Sequence, residues 1–349
     1  MTDRPVQKMP EIEAILRAHA AEVELTWPAD MGFFLNEIRK ESSHRCLVLT
    51  VCDHDRPVAV MKFGQTASAV AQASLQNEVH ALRQAREMGL GDTVARPLGM
   101  FYADSRLWVV ASYLPHIHWY QQITQEAKTG QFDAARADRV TEWLVRWTQR
   151  SRGSGRLDAA VFTAWTEGIF ARVSPNSAYV TDILQKVYEA FRADLAQVVS
   201  AQVPLAGLHG DFNPYNIGWN QDAIVVMDWE DYQVDQPPLF DYFYALFIVL
   251  WLGSDAAYGT PQWPAVHAAI RAWHERSLPR LMAVAAVPDI ATVNGLLILF
   301  LVHNLGKEAE IKRESASNLV YRWVEPLNRV KAPDYWAAIF DFFSPVSEA

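Results

Sequence analysis

The sequence has few cysteines, and their positions exclude a disulfide-stabilised protein. Its 349 residues include only Cys46 and Cys52. Because these two lie six residues apart in an extended run, their Cα atoms are expected to be about 20 Å apart. A disulfide requires a Cα separation below about 7 Å. We therefore expect two reduced core thiols, which is typical of a cytoplasmic protein.

The sequence also lacks basic runs and long apolar runs. The formal net charge is −9 and there is no Lys/Arg cluster, so no nucleic-acid partner is predicted. The segment from Met1 to Pro10 is polar and has no signal-peptide core. The most hydrophobic run, Phe240 to Gly253, contains Asp241 and is too short to span a bilayer. It predicts a buried helix, and no membrane association is expected.

The order of strand-like and helical runs predicts an α+β protein. Before Pro115 the chain holds two strand-like runs that resemble a hairpin, one helical run and two further strand-like runs. Amphipathic helical patterns dominate after Pro115. We predict a β-rich N-terminal lobe over residues 1–115 and a mainly helical C-terminal lobe over residues 116–349. The N-terminal runs are Arg45–Cys52, Pro57–Phe63, Ala67–Met88, Val94–Tyr102 and Leu107–Tyr113.

Two motifs in the second half carry the chemistry. The first is His209-Gly210-Asp211-Phe212-Asn213-Pro214-Tyr215-Asn216, and the second is Asp228-Trp229-Glu230, after a short hydrophobic run. Phosphoryl transfer requires positioning, metal ions that neutralise phosphate charge, and a carboxylate at the acceptor hydroxyl. Asp211 is predicted to be the catalytic base. Asn216 and Asp228 are predicted to bind Mg²⁺, which prefers oxygen ligands.

The pair of motifs resembles the aminoglycoside phosphotransferase and choline kinase superfamily, a branch of the protein-kinase-like fold. Its catalytic loop reads His-Gly-Asp, four variable residues and Asn, and its metal motif is commonly Ile-Asp-Trp-Glu. The resemblance implies a bilobal kinase-like fold. It also implies a small-molecule kinase that uses ATP (or GTP) and Mg²⁺. The acceptor would be a hydroxyl group of an amino sugar, a sugar or a choline-like alcohol.

Kinase folds also place a phosphate-binding Lys on a central strand and pair it with a Glu on the next helix. The run ending in Lys62, Val-Ala-Val-Met-Lys, resembles the usual Val-Ala-Ile-Lys strand. Glu78 is the predicted partner because it borders the apolar stripe of Leu75 and Leu82. Glu87 is the alternative, although it lies close to the predicted helix end.

Two further segments are predicted to contact the nucleotide. The backbone of Tyr113 and Leu114, in the expected hinge, is predicted to meet the adenine edge. The phosphate loop from Arg39 to Arg45 departs from related kinases because it contains no glycine. Ser42 and Ser43 are predicted to offer hydroxyl and N–H groups to phosphate there.

The resemblance implies roles for residues around the catalytic loop. Asp241 occupies the position of a buried Asp that often opens a helix after the metal motif, and with His209 it is expected to brace the loop. Acceptor contacts are less specific. Most tryptophans are expected in the core, with an aromatic cage for a quaternary ammonium as the alternative. The polar group that could line an acceptor pocket is His303, Asn304, Lys307 and Glu308.

The sequence is also compatible with two other functions. A catalytically weak ATP-binding pseudokinase or scaffold is favoured by the glycine-free loop and opposed by the retained Lys62, Asp211, Asn216 and Asp228. A protein kinase is opposed by His-Gly-Asp and Asp-Trp-Glu in place of His-Arg-Asp and Asp-Phe-Gly. The acceptor's identity and the oligomeric state are not determined by the sequence.

Overall fold

The computed structural model describes residues 6–38, 46–64, 68–173, 181–182, 185–186, 188–189 and 191–311. These residues group into two compact units. The first lies within residues 1–117 and 218–232, and the second within residues 118–217 and 233–349. The stretch from Gly218 to Tyr232, which contains Asp228, therefore belongs to the first unit. The predicted division into domains at residues 115 and 116 stays a prediction.

The first unit is built on a five-stranded antiparallel sheet in the order β1-β2-β3-β5-β4. The predicted hairpin is confirmed as the pairing of the second and third strands. The third strand is central and carries Lys62. The strands are β1 (Met31–Ile38), β2 (Cys46–Asp53), β3 (Arg56–Gly64), β4 (Pro97–Ala103) and β5 (Arg106–Ser112), and the flanking helices are α1 (Pro10–Ala18) and α2 (Ala69–Ala85).

Each face of this sheet has its own core. Because side chains alternate along a strand, Met61 and Phe63 of β3 enter a core that includes Leu16 of α1. The opposite face is covered by α2, whose Leu75 and Val79 belong to a second buried cluster. Both cysteines are buried free thiols, as predicted.

The end of α2 is set by a glycine. The helix gives way to a π turn, Arg86–Leu90, in which Gly89 has φ 74°. Glycine adopts this left-handed conformation without the steric cost of a Cβ atom. Gly89 thus ends the helix close to the predicted position, whereas the predicted start at Ala67 lies outside the described residues.

The rest of the described chain is mainly helical, with short strands around the catalytic motifs. The strands β8 and β9 form a hairpin that leads directly to Asp228. The elements are β6 (Ile117–His118), α3 (Trp119–Lys128), α4 (Ala134–Ser151), α5 (Ala159–Val173), α6 (Arg192–Ala201), β7 (Ala206–Leu208), β8 (Ile217–Asn220), β9 (Ala223–Val226), β10 (Gln233–Gln236), α7 (Phe240–Ala257), α8 (Trp263–Ala285) and α9 (Ile290–Ile311).

The helix α7 is the buried helix predicted from the apolar run. Its length and composition alone would suit a membrane span, but 72% of the window is buried inside the structure. Its Tyr242 stacks on His274 of α8, and the Tyr242 hydroxyl lies 2.7 Å from His274 Nδ1. Thr141 of α4 contacts Ser277 Oγ at 2.8 Å and accepts from Trp273 Nε1 at 2.9 Å. Hydrogen bonds therefore satisfy polar groups within this helical core.

The buried ring of His274 is expected to make the protein less stable in acid. Burial, with a contribution from Arg271, lowers the pKa of His274 to about 4. Below pH 6.5 the unfolded chain binds a proton at this ring that the folded protein does not bind until about pH 4. The contribution of His274 to the free energy of unfolding is therefore fully present above pH 6.5. It falls by up to about 3 kcal/mol as the pH drops towards 4.

Urea unfolding measured between pH 4 and pH 7 tests this expectation. In His274→Asn an amide atom lies near the position of Nδ1, and the new side chain does not titrate. The free energy of unfolding of this variant should therefore change less between pH 4 and pH 7. His80→Gln, at an exposed histidine, is the matched control and should follow the wild type. An identical pH dependence in His274→Asn and the wild type would contradict the assignment.

Candidate active site

In the first unit, Lys62 lies between two carboxylates. Its Nζ atom donates to Glu78 Oε1 at 2.7 Å and to Asp228 Oδ1 at 2.9 Å. All three side chains are at most 15% exposed. The central strand supplies Lys62, α2 supplies Glu78, and the segment after β9 supplies Asp228. The structure thus pairs Lys62 with Glu78, whereas Glu87 lies in the π turn after α2.

The electrostatics of this group keep Lys62 charged. Burial lowers the pKa of Lys62, but the carboxylates of Asp228, Glu78 and Glu230 raise it, and the net shift is upward. A buried ammonium held by two carboxylates leaves one formal negative charge in the group. The arrangement can therefore receive a further cation.

The segment that carries Asp228 is bonded to α2 through polar side chains. Asn77 Nδ2 donates to the carbonyl oxygens of Glu230, at 2.9 Å, and Tyr232, at 2.8 Å. Ser74 Oγ donates to Glu230 Oε2 at 3.3 Å, and the Tyr232 hydroxyl donates to Gln84 Oε1 at 2.5 Å. Sequence reasoning missed these contacts, although polar residues recur on one side of α2. Their partners lie more than 140 residues away, which helical periodicity cannot reveal.

Asp228 itself has an unusual backbone conformation. Its φ angle is 64°, in the left-handed region that Asp and Asn enter more readily than other non-glycine residues. Strained backbone of this kind persists where the surroundings determine it and concentrates at functional sites. Val226 N, two residues earlier, donates to Thr93 O at 2.8 Å, which anchors the approach to Asp228 within the first unit.

The predicted hinge follows β5. Tyr113 N donates to Val58 O at 3.4 Å, and Leu114 O accepts from His116 Nδ1 at 2.7 Å. Burial lowers the pKa of His116 below its usual range, against the opposing effect of this hydrogen bond. The ring is therefore neutral at pH 7, with the proton on Nδ1 facing Leu114. Adenine contacts by Tyr113 and Leu114 stay a prediction.

In the second unit, two asparagines hold the Asp211 carboxylate. Asn213 Nδ2 donates to Oδ1 at 2.9 Å, and Asn216 Nδ2 donates to Oδ2 at 2.6 Å. Both amides also donate to the Asp211 carbonyl oxygen, at 3.1 and 3.0 Å. These hydrogen bonds close the segment from Asp211 to Asn216 into a compact loop. The hydrogen bonds from the two asparagines fix the orientation of the Asp211 carboxylate.

The loop is braced from behind by α7 and α9. Asp241 accepts from the backbone N–H groups of His209, at 2.8 Å, and Gly210, at 3.1 Å. Lys307 Nζ donates to the Gly210 carbonyl at 2.7 Å, and Asp211 N donates to His209 Nδ1 at 3.3 Å. Gly210 has φ 85°, which requires glycine here. Asp241 and His209 therefore have the bracing contacts expected from the sequence.

Removing the Asp241 carboxylate is expected to destabilise the protein. Burial raises the pKa of Asp241 to about 7, although the hydrogen bonds from His209 and Gly210 lower it. In Asp241→Ala two buried N–H groups lose their acceptor, each at a cost of about 1–3 kcal/mol. We expect the free energy of unfolding to fall by about 2–4 kcal/mol in urea titrations at pH 7. Asp92→Ala, at an exposed carboxylate, should change it by less than about 0.5 kcal/mol. Equal stability of the two variants would show that the brace contributes nothing.

The remaining predicted residues divide into two groups. Ser42 and Ser43 lie outside the described residues, as does the side chain of Glu308. Of the acceptor candidates, His303 stacks on Trp165 with ring centroids 5.8 Å apart, and Asn304 donates to Phe300 O within α9. Both are buried, and Lys307 contacts the catalytic loop, so these three side chains have structural partners.

The residues predicted to bind magnesium have suitable donor chemistry. Asp228 supplies a carboxylate. Asn216 directs its amide nitrogen at Asp211, which leaves the amide oxygen facing elsewhere. Within the described part of the chain, no group of three or more His, Cys, Asp or Glu side chains could hold a metal ion. Few protein ligands suit Mg²⁺, which usually keeps several waters and binds phosphate oxygens alongside one or two carboxylates.

A protein-family profile matches most of the chain. The sequence profile described as "Phosphotransferase enzyme family" matches residues 37–284. This match spans more than half of the chain, so the protein belongs to the phosphotransferase enzyme family. No curated protein sequence is significantly similar to it.

Solved structures that match this chain share little sequence with it. An ethanolamine kinase from Plasmodium vivax aligns over 88% of this chain and 84% of its own, with 8% identity and a TM-score of 0.52. A choline/ethanolamine kinase family protein from Mesorhizobium loti aligns over 96% and 92%, with 14% identity and a TM-score of 0.43. A thermostable mutant of an aminoglycoside phosphotransferase, in a ternary complex with ADP and hygromycin B, aligns over 97% and 100%, with 12% identity and a TM-score of 0.48. Together with the observed sheet and helices, the first match confirms the predicted kinase-like α+β fold.

Proposed function

We propose that this protein transfers the γ-phosphoryl group of ATP to a hydroxyl group of a small molecule. The observation that carries the proposal is the pairing of Lys62 with both Glu78 and Asp228 in a member of the phosphotransferase family. An ammonium fixed in this way is suited to bind the α- and β-phosphates. The acceptor class is an amino sugar, a sugar or a choline-like alcohol.

Asp211 is proposed as the base. Its carboxylate accepts from Asn213 and Asn216, which fixes its direction. It would take the proton of the acceptor hydroxyl as the oxygen bonds to the γ-phosphorus. The bond from that phosphorus to the β–γ bridging oxygen breaks, and ADP leaves. Asn216 and Asp228 are the proposed magnesium ligands, and the bound metal would neutralise phosphate charge.

A catalytically weak ATP-binding protein is the competing function. Retention of the Lys62 group and of the ordered Asp211 loop supports an active enzyme instead. The two functions differ in turnover rather than in nucleotide binding. Nucleotide affinity alone therefore cannot separate them.

The deciding experiment has two parts. Calorimetric titration with ATP and with GTP, in the presence of Mg²⁺, measures binding and nucleotide choice. Release of ADP is then measured against a library of amino sugars, sugars and amino alcohols. We expect ATP binding and acceptor-dependent ADP release. Absence of nucleotide binding would contradict the kinase proposal, and binding without turnover on any acceptor would favour the weak ATP-binding protein.

A further inference from the structure

The polar face of α2 holds the segment that carries Asp228. Three side chains on this helix, Ser74, Asn77 and Gln84, bond the segment that immediately follows Asp228. Asn77 is the central one, because a single amide nitrogen bonds two backbone carbonyls, those of Glu230 and Tyr232.

The contacts form a closed ring. Asn77 is adjacent in sequence to Glu78, which accepts a hydrogen bond from Lys62. Lys62 also donates a hydrogen bond to Asp228. Asp228 is two residues before Glu230, whose carbonyl returns to Asn77. Any displacement of α2 that moves Glu78 therefore also moves the segment of Asp228. The position of the helix and the position of the carboxylate are set together.

The backbone conformation of Asp228 indicates what this ring of contacts does. At φ 64° the residue is strained, and an unsupported segment would relax towards negative φ and redirect the carboxylate. Asn77 fixes the two carbonyls just beyond the strained residue. Tyr232, the second of these residues, is 5% exposed and its hydroxyl is bonded by Gln84, so the far end of the segment is also held.

We propose that Asn77 is a positioning residue that holds the Asp228 carboxylate in the orientation required for Mg²⁺–nucleotide binding. This inference rests on the proposed function, since it concerns the same metal ligand. Asn77 contacts neither substrate nor metal in this proposal, and it acts through the backbone of Glu230 and Tyr232.

The test compares nucleotide affinity with and without Mg²⁺. Asp has nearly the shape of Asn, but an acceptor oxygen replaces the amide nitrogen that donates to the two carbonyl groups. Asn77→Asp therefore removes both hydrogen bonds. We expect the affinity for ATP in Mg²⁺ to fall about tenfold or more, and the affinity in EDTA to change little. Gln76→Ala is the matched control on the neighbouring, exposed side of α2 and should retain both affinities.

The outcomes separate the inference from the proposed function. If the wild type binds no nucleotide in Mg²⁺, the proposed function fails. If the wild type binds and folded Asn77→Asp retains the full Mg²⁺ effect, the positioning role is wrong. Thermal unfolding monitors folding, and Asn77→Ala replaces the Asp variant if that variant does not fold. If neither variant folds, Asn77 is a structural residue and the inference is overturned.

Discussion

Asp211→Asn is expected to lower turnover by about 10²–10⁴-fold while nucleotide affinity stays nearly unchanged. The substitution removes the charge that orients the acceptor hydroxyl and the basic oxygen that receives its proton. In the native loop both Asn213 and Asn216 donate to this carboxylate. An amide at position 211 offers only one acceptor oxygen, so one of these donors loses its partner.

The measurement pairs acceptor-dependent ADP release with nucleotide titration of the same variant. Asp222→Asn, which removes an exposed carboxylate, is the matched control and should behave as the wild type. Near-normal turnover in Asp211→Asn would remove Asp211 from the role of base. Loss of folding or of nucleotide binding would instead identify a structural residue that maintains the loop.

Asp228→Asn is expected to lower Mg²⁺-dependent turnover by at least about 100-fold. Outer-shell partners of metal ligands already contribute about 10–100-fold, so a direct carboxylate ligand should contribute no less. Asn is chosen over Ala because Asp228 has φ 64°, a conformation that Asn tolerates and Ala does not. Lys62 keeps its bond to Glu78 in this variant, so the buried ammonium retains one counter-charge.

Turnover and ATP affinity are measured as functions of the Mg²⁺ concentration. The wild type should respond to Mg²⁺ in both, and Asp228→Asn should respond weakly or not at all. Asp92→Asn removes another carboxylate of the first unit and should leave the response intact. A normal Mg²⁺ response in folded Asp228→Asn would rule out Asp228 as a metal ligand.

The local elements of the fold could be predicted from the sequence. The β2–β3 hairpin is confirmed by the pairing of the two strands. It was predictable because β-branched and aliphatic runs flank a turn rich in Asp. The helical run stops near the predicted position: α2 ends at Ala85, and the π turn that follows contains Gly89 in a conformation that costs other residues energy. The run from Phe240 to Gly253 lies in a buried helix as predicted, and the supporting observation is that 72% of the window over α7 is buried inside the structure.

The sequence predicted individual residues of the candidate site but not the contacts between them. The two motifs singled out Asp211, Asn216 and Asp228, because phosphoryl transfer needs a base and metal ligands, and the resemblance to kinase folds added Lys62 and Glu78. The tertiary structure decided what each of them contacts. Lys62 meets Asp228 across 166 positions of sequence, and Asn77 meets Glu230 across 153. Local propensity and periodicity describe neighbours along an element. Packing of α2 and of the segment after β9 against the sheet is a long-range event, and it alone brings these side chains together.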